Sequence, residues 1–210
     1  MAVRGRLEPQ LDPVPLKQLR PTQMTVGYRE VNAKRQSWRK RVKKEGRRFL
    51  GRHLIPVVCG PDGEYWVVDH HHLARALVDE GVPDVLVSVI AKLRHLDHRT
   101  FFTFLDNRNW LHPYDHKGRQ RGWGDLPRTL DAMKDDPYRS LAADVRKRGG
   151  CSKVETPYAE FLWADFLRTR ISERRLLHHY ERAIDEALGF ARSPEAAYLP
   201  GFSGPDEDNS

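Results

Sequence analysis

The chain is predicted to be α+β, and two observations place it there. Between about residues 53 and 93, β-branched apolar runs alternate with turn residues and one short helical pattern. After about residue 125 the periodicity is helical throughout. The expectation is a small mixed-sheet domain over residues 14–112, a helical extension over 113–190, and a disordered acidic tail over 191–210.

The elements follow in order. VPLKQLRPTQM, with Pro15 and Pro21, reads as a short strand and a turn. VGYREVNAKRQSWRKRVKKEGRRFL has no proline and good helix formers, and Gly46 is a natural break. Its apolar residues Val31, Trp38, Val42 and Phe49 make one narrow helical face, which assigns Trp38 to the core. HLIPVVCG and EYWVV are strands joined at GPDG, a turn built for a hairpin. From His72 to Gly81, Leu73, Ala76 and Leu77 share a face, and Gly81 is placed to end the helix. VPDVLVSVIAKL is the next strand, and FFTFLDNRNW opens as a helix before a loop.

In the second half, DLPRTLDAMKDDPYRSLAADVRKRGG reads as two short helices parted at Pro137, with Asp capping the second. TPYAEFLWADFLRTRI places Thr-Pro at a helix start, with apolar residues on most sides. Glu160 and Asp165 in it need partners, and Arg139 or Arg146 is the expected source. SERRLLHHYERAIDEALGF has a Ser cap and an end near Gly189.

Charge narrows the function classes. The net +7 comes from one segment: Lys34–Arg48 holds nine basic residues against Glu45, a local +8 that leaves the rest at −1. Cys59 and Cys151 have neither metal-ligand nor redox spacing and read as reduced thiols. No apolar run approaches the roughly 20 residues that span a bilayer. A soluble, cytoplasmic protein with no membrane partner is expected.

The chemistry concentrates where the strand EYWVV meets DHHH. N–H groups in a helix's first turn have no internal partners and together attract an anion. His71 and His72 could add donors for a phosphate. Asp69 would repel that phosphate unless Mg²⁺ lay between them, so Asp69 is the candidate metal ligand. Two other readings stay open. Asp69 could be an ordinary N-cap, bonded to the N–H of His71 or His72. The histidines could also join His112, Asp115 or His116 around a transition metal, although no paired spacing supports that.

Strand, hairpin, strand, then Asp-x-His-His opening a helix resembles the ParB/sulfiredoxin superfamily. LRPTQMTVGYREVNAKR, DDPYRSLAADVRKRGG and TPYAEFLWADFLR resemble its ParB-like nuclease branch, so the likeness covers roughly residues 14–185. It implies a ParB/sulfiredoxin-like fold and a nucleotide (ATP/ADP or CTP) held at Asp69, His70, His71 and His72. In the superfamily's free-serine kinases a glutamate after the first strand is the general base. Glu30 is the positional match, with a solvated helix glutamate as the alternative. The resemblance therefore implies a Mg²⁺-dependent phosphotransferase acting on a small hydroxyl-bearing substrate such as an amino acid. Glu30 and Asp69 would be catalytic, and Arg108 and His112 would lie near the acceptor. Two departures stand out: His70 replaces a Gly and Leu73 an Arg, for which Arg75 is the candidate substitute.

A second function class rests on the basic segment, where Arg39, Lys40, Lys43 and Arg47 could grip a nucleic-acid backbone with salt-sensitive affinity. No helix-turn-helix signature accompanies them.

Overall fold

A computed structural model describes residues 10–45 and 54–204. Its elements run β1 (Gln10–Pro15), β2 (Leu19–Pro21), β3 (Thr25–Val26), α1 (Tyr28–Glu45), β4 (Ile55–Cys59), β5 (Tyr65–Val67), α2 (His71–Asp79), β6 (Asp84–Lys92) and α3 (His98–Asn107). They continue with β7 (Lys134–Asp135), α4 (Pro137–Lys147), α5 (Ala159–Arg168), α6 (Glu173–His178) and α7 (Tyr180–Ala191). Gly46, Arg47, Arg48 and Phe49 lie outside the described residues.

The chain divides into two compact units. One comprises residues 1–26 and 31–134, the other 27–30 and 135–210. The division falls at Lys134–Asp135, and the first turn of α1 counts with the helical unit.

The first unit is a five-stranded sheet in the order β1-β6-β4-β5-β2. β4 and β5 are the expected hairpin, antiparallel, with Gly63 of GPDG at φ +77° and its N–H donating to the Gly60 carbonyl. β6 lies parallel to β4 and antiparallel to β1, while β2 lies parallel to β5. Neighbouring residues on these strands point to opposite faces. Val57, Val67, Val85, Val87 and Val89 join Leu73, Ala74, Ala76 and Leu77 of α2 and Trp38 of α1 in one cluster. Val58 and Trp66 turn the other way, against Phe101, Phe102 and Leu105 of α3. Trp38 is 8% exposed, as its place on the apolar stripe predicts, whereas Val42 is 37% exposed. Gly81 ends α2 at φ +67°.

The second unit is helical. α4 begins where Asp136 caps it: the Tyr138 N–H donates to Oδ1 at 3.1 Å, and Pro137 fills the first turn. The same carboxylate accepts from both terminal nitrogens of Arg168, at 3.2 and 2.8 Å. Leu141, Val145, Trp163, Phe166, Leu167 and Ile184 form the core. Three sequence readings change here. α5 starts at Ala159, after a left-handed Tyr158 (φ +59°), so Thr156-Pro157 precede the helix. The last helical stretch breaks at His179 into α6 and α7, and Gly189 sits inside α7. Residues 194–202 are also folded: Leu199 is buried, and the Trp163 indole N–H donates to the Pro200 carbonyl at 2.8 Å.

Candidate functional site

β5 delivers the chain to the start of α2 through Asp69 and His70. His70 is the residue before the first turn, and it adopts φ +63°, ψ +26°, the left-handed region that glycine enters freely. A histidine holds this backbone shape at a cost. The His70 side chain makes no cap hydrogen bond. The Asp69 carboxylate turns back instead and accepts from the His70 N–H at 2.6 Å. The cap position of α2 thus falls to His70 rather than to Asp69. Asp69 and His70 are exposed, and His72 is half-buried.

His71 has a different place. It is 3% exposed, and its Nε2 accepts the Thr22 N–H at 3.3 Å. The Thr22 hydroxyl donates to the Val67 carbonyl at 2.8 Å, so its own proton is already committed. The Thr22 N–H is shared with the Val67 carbonyl at 3.3 Å, and the Nε2 edge of His71 is turned to Thr22. Thr22 also accepts, through its carbonyl, the His112 N–H at 2.9 Å, and the His112 ring stacks on Tyr114 at 4.2 Å. His71 and His112 thus converge on one buried threonine, 49 residues before the former, which no local signal in the sequence marks. Arg108 closes α3, exposed, with its guanidinium 5.2 Å from the Trp110 ring centre.

Arg75 does not take over the missing arginine. Its Nε donates to Asp79 at 2.9 Å and its Nη1 to the Met133 carbonyl at 2.7 Å, which pins the 130–133 segment to α2. A guanidinium held by a carboxylate and a carbonyl is spent on the fold.

Glu30 belongs to the helical unit, the α2 corner to the sheet unit. Asp135 and Ser140 hold the first turn of α1: the Tyr28 N–H donates to Asp135 at 2.8 Å and the Arg29 N–H to the Ser140 hydroxyl at 3.3 Å. Arg29 then lies over the Tyr180 ring at 3.3 Å. The Glu30 side chain is 14% exposed, with Lys147 Nζ at 3.9 Å. Burial raises its pKa above the ordinary carboxylate value and nearby Glu160 adds to this, while Lys147, Arg139 and Arg146 pull it back. Glu160 pairs with Arg146 at 2.5 Å, one of the two partners expected for it. Arg139 is buried, its guanidinium 4.0 Å from the Phe161 ring centre. Glu30 is thus a half-buried carboxylate in a charged cluster, not a solvated one.

On α1, Arg39 donates to both oxygens of Glu80, at 2.7 and 2.9 Å, and Arg35 to one of them at 2.7 Å. Lys40 and Lys43 are exposed, and Arg47 lies outside the described residues. Among the described residues no three His, Cys, Asp or Glu side chains are grouped so that they could hold a metal. Asp115 is instead a structural carboxylate. Burial alone would raise its pKa, but the Arg119 N–H, the Arg121 guanidinium and the Lys117 N–H outweigh it and hold the pKa at about 2. No described helix is long and apolar enough to cross a membrane.

Residues 13–169 match the model of the family described as "Putative ParB-like nuclease", and the chain belongs to that family. Protein Atu1540 from Agrobacterium tumefaciens, known as a crystal structure, is 46% identical, with 94% of this chain and 98% of that one covered and a TM-score of 0.87. The C-terminally truncated chromosome-partitioning protein ParB from Caulobacter crescentus, complexed with CTP-gamma-S, is 14% identical over 88% of this chain and 93% of that one. Its TM-score is 0.31. No curated protein matches.

Proposed function

We propose that the first turn of α2 holds the phosphates of a nucleotide. The observation that carries this reading is the α2 start itself: Asp69 and His70 are exposed, and the helix is entered through a residue kept in the left-handed region whose own side chain makes no cap bond. Left-handed non-glycine residues persist where the surrounding structure imposes them, and they gather at ligand sites. His70 and half-buried His72 supply the side-chain donors, and His71 fixes the corner to Thr22 from behind. Asp69 is a single exposed carboxylate, which suits Mg²⁺ only in the mode where phosphates bring most of its ligands. When bound, that ion would neutralise phosphate charge.

The finer proposal is phosphoryl transfer to a small hydroxyl-bearing substrate. Glu30 would take the hydroxyl proton, a role its raised pKa suits, with Arg108 and His112 near the acceptor. The test is Glu30→Gln against His72→Ala. Glu30→Gln should stop turnover with nucleotide affinity nearly kept, and His72→Ala should weaken affinity itself. Equal loss of both in Glu30→Gln would remove Glu30 as base.

A second reading, supported by the exposed Lys40 and Lys43 beside Arg39, is nucleic-acid binding along α1. It requires affinity that falls steeply with salt and is lost on replacing Lys40 and Lys43.

A further inference from the structure

The sheet unit contains a pocket of about 370 Å³ that shares no residue with the α2 corner. Met24, Pro127 and Ala132 give it apolar walls, and Asp115, Arg121, Asp125 and Lys134 supply charge. A volume in this range suits a small organic molecule.

The formal charges cancel, but the available hydrogen-bonding groups do not. Asp115 is saturated: Oδ1 accepts the Lys117 and Arg119 N–H groups at 2.9 and 3.1 Å, and Oδ2 accepts Arg121 Nε and Nη2 at 2.9 and 2.6 Å. This clamp closes the 115–121 loop, where the Arg121 N–H also donates to the Pro113 carbonyl at 2.7 Å. It also fixes the Arg121 guanidinium by one edge, so that Nη1 is left over. Asp125 Oδ2 accepts the Gly122 N–H at 3.2 Å. On the opposite side the Lys134 backbone N–H is anchored to the Met24 carbonyl at 3.1 Å, while its ammonium has no ion-pair partner among the described residues. Asp115 is thus fully occupied, Asp125 gives one oxygen to the Gly122 N–H, and the cationic donors keep capacity. A pre-oriented guanidinium, an ammonium and an apolar wall suit an oxyanion on an apolar body.

We propose that this pocket binds a small organic anion, with its carboxylate or phosphate on Arg121 and Lys134 and its apolar part on Met24, Pro127 and Ala132.

Three probes share one ring and differ in charge: phenyl phosphate, benzoate and benzylamine. Their binding to the full chain can be followed by ligand-observed NMR and titration calorimetry. Phenyl phosphate or benzoate should bind and benzylamine should not, and the stronger of the first two identifies the oxyanion. Lys134→Ala, at an exposed side chain, should weaken anion binding roughly tenfold or more, the loss expected of a charge-assisted contact. Ala132→Trp should abolish it by filling the pocket, with an unchanged melting temperature confirming the fold. His72→Ala should leave it intact. Three results would overturn the proposal: benzylamine binding as well as the anions, no probe binding, or anion binding that survives Ala132→Trp and disappears in His72→Ala. The last would move the anion to α2 and leave the nucleotide reading standing.

Discussion

His70 offers a direct test of the α2 corner, because its backbone and its ring make separate predictions. At φ +63° and ψ +26° an L-residue is strained by roughly 1–2 kcal/mol relative to right-handed backbone. His70→Gly removes that strain but adds freedom to the unfolded chain, worth about 0.4–1 kcal/mol. The ring gives back little, since His70 is exposed and its Nε2 stands 3.9 Å from Asp69. The net expectation is a gain of about 0.5–1 kcal/mol, a rise in melting temperature of about 1–4 °C for a chain of this size. His70→Val, a β-branched residue forced into the same region, should lose about 1–2 kcal/mol. Thermal and urea unfolding of the three proteins measure both changes. If His70→Gly is less stable than the parent, or His70→Val equals it, the corner is not held left-handed and the strain argument fails. On the nucleotide reading His70→Gly also binds more weakly, because the loop keeps its shape and loses a donor.

Other substitutions test other links. Asp136 is 2% exposed and serves both as cap of α4 and as partner of Arg168, so Asp136→Ala should cost about 3 kcal/mol, with a coupling to Arg168→Met of at least about 1 kcal/mol in a double-mutant cycle. Gly27 has no room for a side chain: a Cβ would meet the Ser140 hydroxyl at 2.6 Å and its backbone nitrogen at 2.9 Å, so Gly27→Ala should cost about 1–3 kcal/mol in urea unfolding. The raised pKa of Glu30 means that the folded chain holds this proton more tightly than the unfolded one. Stability from this group is then greatest below the ordinary value of 4.5 and is lost as pH rises through the folded value. Glu30→Gln should therefore melt above the parent at neutral pH, with the gap closing in acid. A gap that widens in acid would mean that the ion pair with Lys147 outweighs burial.

What the sequence disclosed was local. The GPDG turn, the Gly81 end of α2, the Asp136-Pro137 start of α4 and the Ser172 cap of α6 each depend on residues within about three positions, and each was readable. The burial of Val31 and Trp38 was equally plain, because helical periodicity repeats over short distances, whereas Val42 on the same stripe is exposed. Features decided by distant partners were not. Arg75 is claimed by a carbonyl 58 residues away, and His71 by Thr22, 49 residues back. Nothing near either residue announces this. The left-handed turns at His70 and Tyr158 escaped for another reason: neither is glycine, so the surrounding fold imposes the conformation against local preference. Glu30 was found by position, but its burial depends on α4 and α5, which follow it by more than 100 residues. The family was legible because three motif stretches occur in order, and the fold followed from it.

The central claim is that α2 opens as a phosphate site. The most direct measurement is a thermal-shift panel with ATP, ADP, CTP and GTP, each with and without Mg²⁺, on the parent chain and on His72→Ala. A nucleotide at 100 times its dissociation constant adds about 2.7 kcal/mol, a rise of several degrees. Such a rise is expected with at least one nucleotide, dependent on Mg²⁺ and diminished in His72→Ala. No rise with any nucleotide, or a rise indifferent to His72, would contradict it.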